Sequence, residues 1–196
     1  MDPQPFDFHL SLPGWIGPHL ASLPELFPDA GDRMRLILDL ARQNFQRDTG
    51  GPFAAGVFQR DTGRMVAVGV NRVVACGCSS AHAEVMALAL AQRRLGVHDL
   101  GGPGLPDLEL VVNWRPCVQC YGALLWSGVR ALAIPGSGPE LEELTGFDEG
   151  PIHPDWAREL ARRGITVQEG LLRDEAVELF RTFRASGRMV YNARKG

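Results

Sequence analysis

Four side chains in this 196-residue chain have types and spacings suited to joint chemistry. His82 and Glu84 lie in Ala81-His82-Ala83-Glu84, and Cys117 and Cys120 in Pro116-Cys117-Val118-Gln119-Cys120. Residues three apart share a helix face, so both sulfurs reach a single ion. A helix start also lowers thiol pKa, which favours the thiolate that a metal needs. Two thiolates and one imidazole suit Zn²⁺ and leave one of its four positions for a water, the catalytic arrangement. Glu84 is then placed to move protons at that water instead of binding the metal. Two other readings compete. A C-x-x-C pair is also a redox motif, although nothing around this one is thioredoxin-like. A structural zinc site would draw a fourth ligand from Cys76 or Cys78, and Glu84 would then have no task. Failing that, Cys76 and Cys78 read as small buried hydrophobes.

These residues need elements to hold them. Asp32 reads as a helix start, with Met34, Leu36, Ile37, Leu40, Ala41 and Phe45 on one face. Phe53–Phe58 and Met65–Val70 flank Asp61-Thr62-Gly63 and read as a β-hairpin. A helix over Ala81–Leu95 follows, with Ser79 or Ser80 as its cap. Leu108–Val112 reads as a buried strand. Pro116 opens a helix that ends at Gly128 and buries Trp126. Ala131–Ile134 is a strand, 135–153 a long Gly/Pro-rich loop, Pro154–Arg163 a helix, Ile165–Gln168 a strand and Leu172–Arg184 a helix. The tail from Gly187 is irregular. Alternating strands and helices in the second half imply parallel strands. The expected fold is α/β: one mixed five-stranded sheet, its last two strands parallel, with helices on both faces. Residues 32–196 form the domain. Residues 1–31, with Pro3, Pro5, Phe6, Phe8, Pro13, Trp15, Pro18 and Phe27, form an arm too apolar for a free linker. It either packs on the domain surface or borders the site or a partner subunit.

Composition narrows the function. The chain is 45% hydrophobic with a net charge of −3, from 20 basic and 23 acidic residues. That disfavours a nucleic-acid partner, whose phosphates would dominate affinity. Arg181, Arg184, Arg188, Arg194 and Lys195 make a basic run that reads as a solvated helix face. No apolar run of about 18 residues offers a membrane span. The first residues lack the features of a signal peptide, so a cytoplasmic setting with reduced cysteines is expected.

His-x-Glu followed 35 positions later by Pro-Cys-x-x-Cys resembles the signature of the zinc-dependent nucleobase and nucleoside deaminases. The resemblance spans roughly residues 32–184 and is strongest to the guanine deaminase branch. It rests on Gly51-Pro52-Phe53-Ala54-Ala55-Gly56-Val57, on Gly69-Val70-Asn71-Arg72-Val73, on the stretches 81–88 and 116–126, and on Gly146-Phe147-Asp148-Glu149. It implies the three-layer α/β/α cytidine deaminase-like fold, and Zn²⁺ on His82, Cys117 and Cys120 with Glu84 as proton carrier. Asn71 is implied as a hydrogen-bond partner of the base, though it also suits a plain turn. Phe53 would wall the base, or simply sit in the core, and Ala83 would contact substrate. Asp148 or Glu149, with Glu149 preferred, would enter the pocket as an acceptor for the guanine amino group or a second proton shuttle. Tyr191 would cap a pocket, its own or a neighbour's, or stay a surface tyrosine. The implied reaction is guanine to xanthine in a homodimer. The alternatives are a tRNA adenosine deaminase, or a deaminase of cytosine or another aminated heterocycle. Two stretches depart from the family pattern: Arg115, after Trp114, replaces a glutamate before Pro-Cys, and Cys78-Ser79-Ser80 replaces Asp-Pro-Thr.

Overall fold

A computed structural model describes residues 5–194; Pro3 of the arm and Lys195 of the basic run lie outside the described residues. The arm holds a short helix, α1 (Ile16–Ala21), and α2 (Ala30–Gln46) follows. α2 starts before Asp32 because Asp29, in extended backbone, is the better-placed cap. Its carboxylate accepts the Asp32 N–H at 3.1 Å. Ile16 and Phe27 are buried with the α2 side chains, so this part of the arm belongs to the core. Arg33 latches it: Nη1 donates to the carbonyls of Phe27 (2.7 Å) and Pro28 (2.9 Å). The same buried guanidinium pairs with Glu109 at 2.6 Å. Phe6 and Phe8 stay exposed.

The hairpin forms from β1 (Ala54–Gln59) and β2 (Met65–Val70), and a short helix α3 (Val73–Cys76) leads to α4 (Ala83–Leu95). Then come β3 (Leu108–Val112), α5 (Val118–Ser127), β4 (Ala131–Ile134), α6 (Glu140–Thr145), α7 (Trp156–Ala161), β5 (Thr166–Glu169) and α8 (Arg173–Ala185). The sheet order is β2-β1-β3-β4-β5. β1 runs antiparallel to both β2 and β3, while β3, β4 and β5 are mutually parallel. Helices return the chain between the parallel strands, as such crossovers require.

β1 and β3 are buried along nearly their whole length, as strands covered on both faces must be. Alternate residues divide between two cores. Phe58, Val68, Val70 and Val111 face α2 and α8, with Phe45, Phe180 and Phe183. Val57, Leu110, Val112 and Leu132 face α4 and α5, with Ala87, Leu88 and Leu124. The result is the three-layer α/β/α arrangement.

Three further sequence expectations need correction here. The stretch 135–153 contains α6, whose ends are marked by Pro139 at its cap and Gly146 in the left-handed region (φ 81°). Trp126 is 87% exposed, because α5 turns Cys120, Leu124 and Ser127 inward and leaves Trp126 off that face. α4 begins at Ala83 with His82 as cap, not Ser79 or Ser80. Turn bonds from Ala81 N to Cys78 O and from His82 N to Ser80 O occupy the preceding residues.

Gly69 permits the close approach of β2 to the first turn of α4. A Cβ there would stand 2.2 Å from Ala83 O and 2.5 Å from Ala87 N, both unyielding backbone atoms. Gly69→Ala is therefore expected to cost about 1–3 kcal/mol, read as a lowered denaturant midpoint. An unchanged midpoint would contradict this packing.

Candidate active site

The site forms where the parallel strands end and their crossover helices begin, the usual ligand edge of an open α/β sheet. Ala54 pairs with Val70 and Ala55 with Val112, so Phe53, Asn71 and Asn113 emerge side by side there. Asn113, fully buried, fastens the strand ends. Its Oδ1 accepts the Ala54 N–H at 3.0 Å and its Nδ2 donates to Pro52 O at 2.9 Å.

Helices α4 and α5 start at this edge. His82 caps the first and Cys117 the second, each in extended backbone and neither using its side chain as a cap. Ring and sulfur are thereby free for each other: Cys117 Sγ lies 3.5 Å from His82 Nδ1. Cys120, one turn into α5, completes a group whose ligand atoms all lie within 4.8 Å of one another. Ligands at tetrahedral Zn–S and Zn–N bond lengths stand roughly 3.5–3.8 Å apart, so the set fits one ion with little movement. Neither Cys76 nor Cys78 joins it, and among the described residues no fourth protein ligand does. Both are half-exposed instead of buried, because the segment that carries them runs along the surface, with Val74, Ala75, Gly77, Ser79 and Ser80 exposed around them. Cys78 Sγ contacts Ser80 Oγ at 3.1 Å.

The electrostatics suit a cation. Cys120 hydrogen-bonds Cys117 and lowers its thiol to about 4 against the opposing effect of burial; His82 adds to the lowering. Cys120 is correspondingly pushed well up, by that shared hydrogen bond and by burial. A metal held by both sulfurs displaces the proton that Cys120 keeps. Burial depresses His82, but the Cys117 hydrogen bond and the Glu84 charge outweigh it, so its pKa rises. Glu84 sits in the first turn of α4, 7% exposed. Burial raises its carboxyl, and the Cys117 charge adds to the effect.

A cavity of about 350 Å³ opens beside this group, large enough for a small heterocycle. His82, Ala83, Glu84 and Cys117 line it from the helix starts, Phe53 and Asn71 from the strands, Asp148 and Glu149 from the loop after α6, and Tyr191 from the tail. Cys120 lies behind, fully buried. The two loop carboxylates differ sharply. Asp148 is exposed and its Oδ1 accepts the Gly150 N–H at 2.9 Å, as a turn residue does. Glu149 is buried, and burial, with the charges of Cys117 and Glu84, pushes its carboxyl up to about 8.

Several positioning groups escaped the sequence reading. Glu149 is held through its backbone: its N–H reaches Glu142 Oε1 of α6 at 3.2 Å, and its carbonyl accepts the Val118 N–H of α5 at 3.0 Å. Asn192 in the tail clamps the same loop, accepting the Asp148 N–H at 2.9 Å and donating to Gly146 O at 2.8 Å. Arg188 pins the tail to Asp48 and to Gln46 O. Phe147 anchors the loop from below, edge-on to Phe53 at 5.0 Å and stacked on Phe183 at 5.6 Å. Only α6 left a signal in the sequence, its Pro and Gly boundaries. The other partners meet through tertiary structure.

Comparison with known proteins agrees with this geometry. Residues 29–134 match the cytidine and deoxycytidylate deaminase zinc-binding region. The guanine deaminase of Bacillus subtilis (strain 168) is 30% identical over 132 residues, covering 67% of this chain and 80% of that protein. The solved guanine deaminase from Nitrosomonas europaea is 45% identical with a TM-score of 0.87, covering 94% of this chain and all of that one. A further solved structure, in complex with 2,6-diaminopurine, is 47% identical with a TM-score of 0.87, covering 95% of this chain and 97% of that one. The chain belongs to the cytidine and deoxycytidylate deaminase family, and two of the relatives named here are guanine deaminases.

Proposed function

We propose that the protein hydrolytically deaminates a purine bearing a 2-amino group, converting guanine to xanthine with release of ammonia. The observation that carries this reading is the convergence of Glu84, Glu149 and Asn71 on one cavity beside the His82, Cys117 and Cys120 donor set. Similarity to guanine deaminases, and to a structure holding 2,6-diaminopurine, supports the substrate class. Zn²⁺ held by His82, Cys117 and Cys120 would supply a Lewis acid and lower the pKa of a bound water toward about 7.

The chain's own groups carry the protons and the recognition. Glu84 takes a proton from water and returns it to the ring nitrogen beside the reacting carbon. The second proton, lost from the newly added hydroxyl as it becomes the product carbonyl, goes to the departing amine, so water is consumed and ammonia leaves. Glu149, whose carboxyl burial and the neighbouring charges of Cys117 and Glu84 push up to about 8, donates to the amine or accepts from it across the cavity. Asn71 Oδ1 accepts the Gly51 and Val73 N–H groups, each at 3.4 Å, which turns Nδ2 toward a substrate carbonyl oxygen. Phe53 walls the base, Ala83 borders it from the start of α4, and Tyr191 covers the mouth.

The enzyme works as a homodimer in the cytoplasm on this reading, and its mass in solution checks the assembly. Among the described residues no helix is long and apolar enough to cross a membrane.

Ammonia release from a panel of bases tests the substrate. Guanine is expected to exceed cytosine and adenine by about 10² or more in kcat/KM, because buried polar groups left unpaired penalise the wrong base. Preference for cytosine, or for adenosine in a tRNA anticodon stem, would overturn the assignment. Glu149→Gln is expected to lower turnover by about 10², and Asp148→Asn by far less. The reverse order would remove Glu149 from the inner position.

A further inference from the structure

We propose that Asn44 is a positioning residue for substrate recognition, fixing the Asn71 amide, and that Thr49 and Trp15 extend this device into the N-terminal arm. The inference rests on the reading of Asn71 as a substrate contact. Asn44 lies in the last turn of α2, fully buried, and does not line the cavity. Its Nδ2 nevertheless reaches two backbone carbonyls at the cavity wall, Gly51 O at 2.9 Å and Asn71 O at 3.0 Å. The first belongs to the residue whose N–H orients the Asn71 side chain, and the second is Asn71's own carbonyl.

One amide thus grips both halves of the recognition loop. The two segments are pressed together there: a Cβ on Gly50 would fall 1.9 Å from Asn71 O and 2.6 Å from Asn44 Nδ2. The Asn44 amide is oriented in its turn. Oδ1 accepts the Thr49 hydroxyl at 2.8 Å, and Thr49 Oγ1 accepts the indole N–H of Trp15 at 3.1 Å. Arg72, next to Asn71, adds a parallel tie by donating to the carbonyls of Thr49 and Ser11. With Asn71 Oδ1 committed to the Gly51 and Val73 N–H groups, Nδ2 is the donor left for substrate. Losing Asn44 frees two carbonyls whose position sets the direction of that donor. A displacement of about 1 Å at such a contact costs on the order of 10²-fold in rate.

A double-mutant cycle in kcat/KM for guanine, run on zinc-loaded full-length protein, tests the proposal. Asn71→Ala and Asn44→Ser are each expected to lower kcat/KM by about 10- to 100-fold, with zinc content equal to the parent. If Asn44 acts through Asn71, adding Asn44→Ser to Asn71→Ala costs less than about threefold more. Full additivity, or an Asn44→Ser variant within about threefold of the parent, overturns the proposal while leaving Asn71 its role. An Asn71→Ala variant with unchanged kcat/KM overturns both. Should Asn44→Ser not fold, Thr49→Val enters the same cycle. It keeps the side-chain shape and removes the hydroxyl that orients Asn44, with an expected loss of about three- to tenfold and the same lack of additivity.

Discussion

Glu84→Gln is expected to keep the fold and the zinc and to lose deaminase activity by about 10²- to 10⁴-fold. Glutamine has nearly the same shape, so the first turn of α4 and its packing on β2 stay intact. What disappears is the ability to take up and return a proton. The Glu84 carboxyl is almost wholly enclosed, and burial raises its proton affinity. Removing a buried charge also lifts a desolvation cost, so the unfolding midpoint is expected to hold or rise. Zinc analysis and ammonia assay on the same preparation check the two halves of this expectation. A variant within tenfold of the parent would remove Glu84 from the reaction.

Cys117→Ala is expected to abolish stoichiometric zinc and, with it, activity. Two ligands, His82 and Cys120, would remain where the set offers three. Cys117 does not cap α5 with its side chain, and the bond from Tyr121 N to its backbone carbonyl (2.8 Å) survives in alanine. The helix should therefore start unchanged, and the loss should trace to the thiolate alone. Cys76→Ala and Cys78→Ala serve as controls expected to retain zinc, since both lie outside the ligand group. Stoichiometric zinc in Cys117→Ala would overturn the assignment. Loss of zinc in either control would instead make that cysteine part of the site.

The sequence by itself picked out the residues that the structure gathers around one cavity, and most of the scaffold. The β2, β3 and β4 boundaries read from apolar runs agree with the structure, and the first hairpin strand is shifted by one residue, to Ala54–Gln59. Those signals are local: two-residue and 3.6-residue periodicities, Gly in the left-handed region, and ligand types at helix spacing. Tertiary structure decided what depends on residues distant in the chain. It made His82 the cap of α4, since the turn before it had already used Ser80, and it left Trp126 outside because Cys120, Leu124 and Ser127 face the core. It also separated Asp148 from Glu149. Neighbouring acidic residues in a glycine-bearing loop look alike until Glu142, Val118 and Asn192 grip the backbone and turn one inward. Asn44 is the furthest case: on a helix pattern it is only a polar residue, and its partners stand 7 and 27 positions away. A side chain that satisfies another segment's backbone leaves no periodic trace, because its partner is set by how the segments pack and not by its neighbours in sequence.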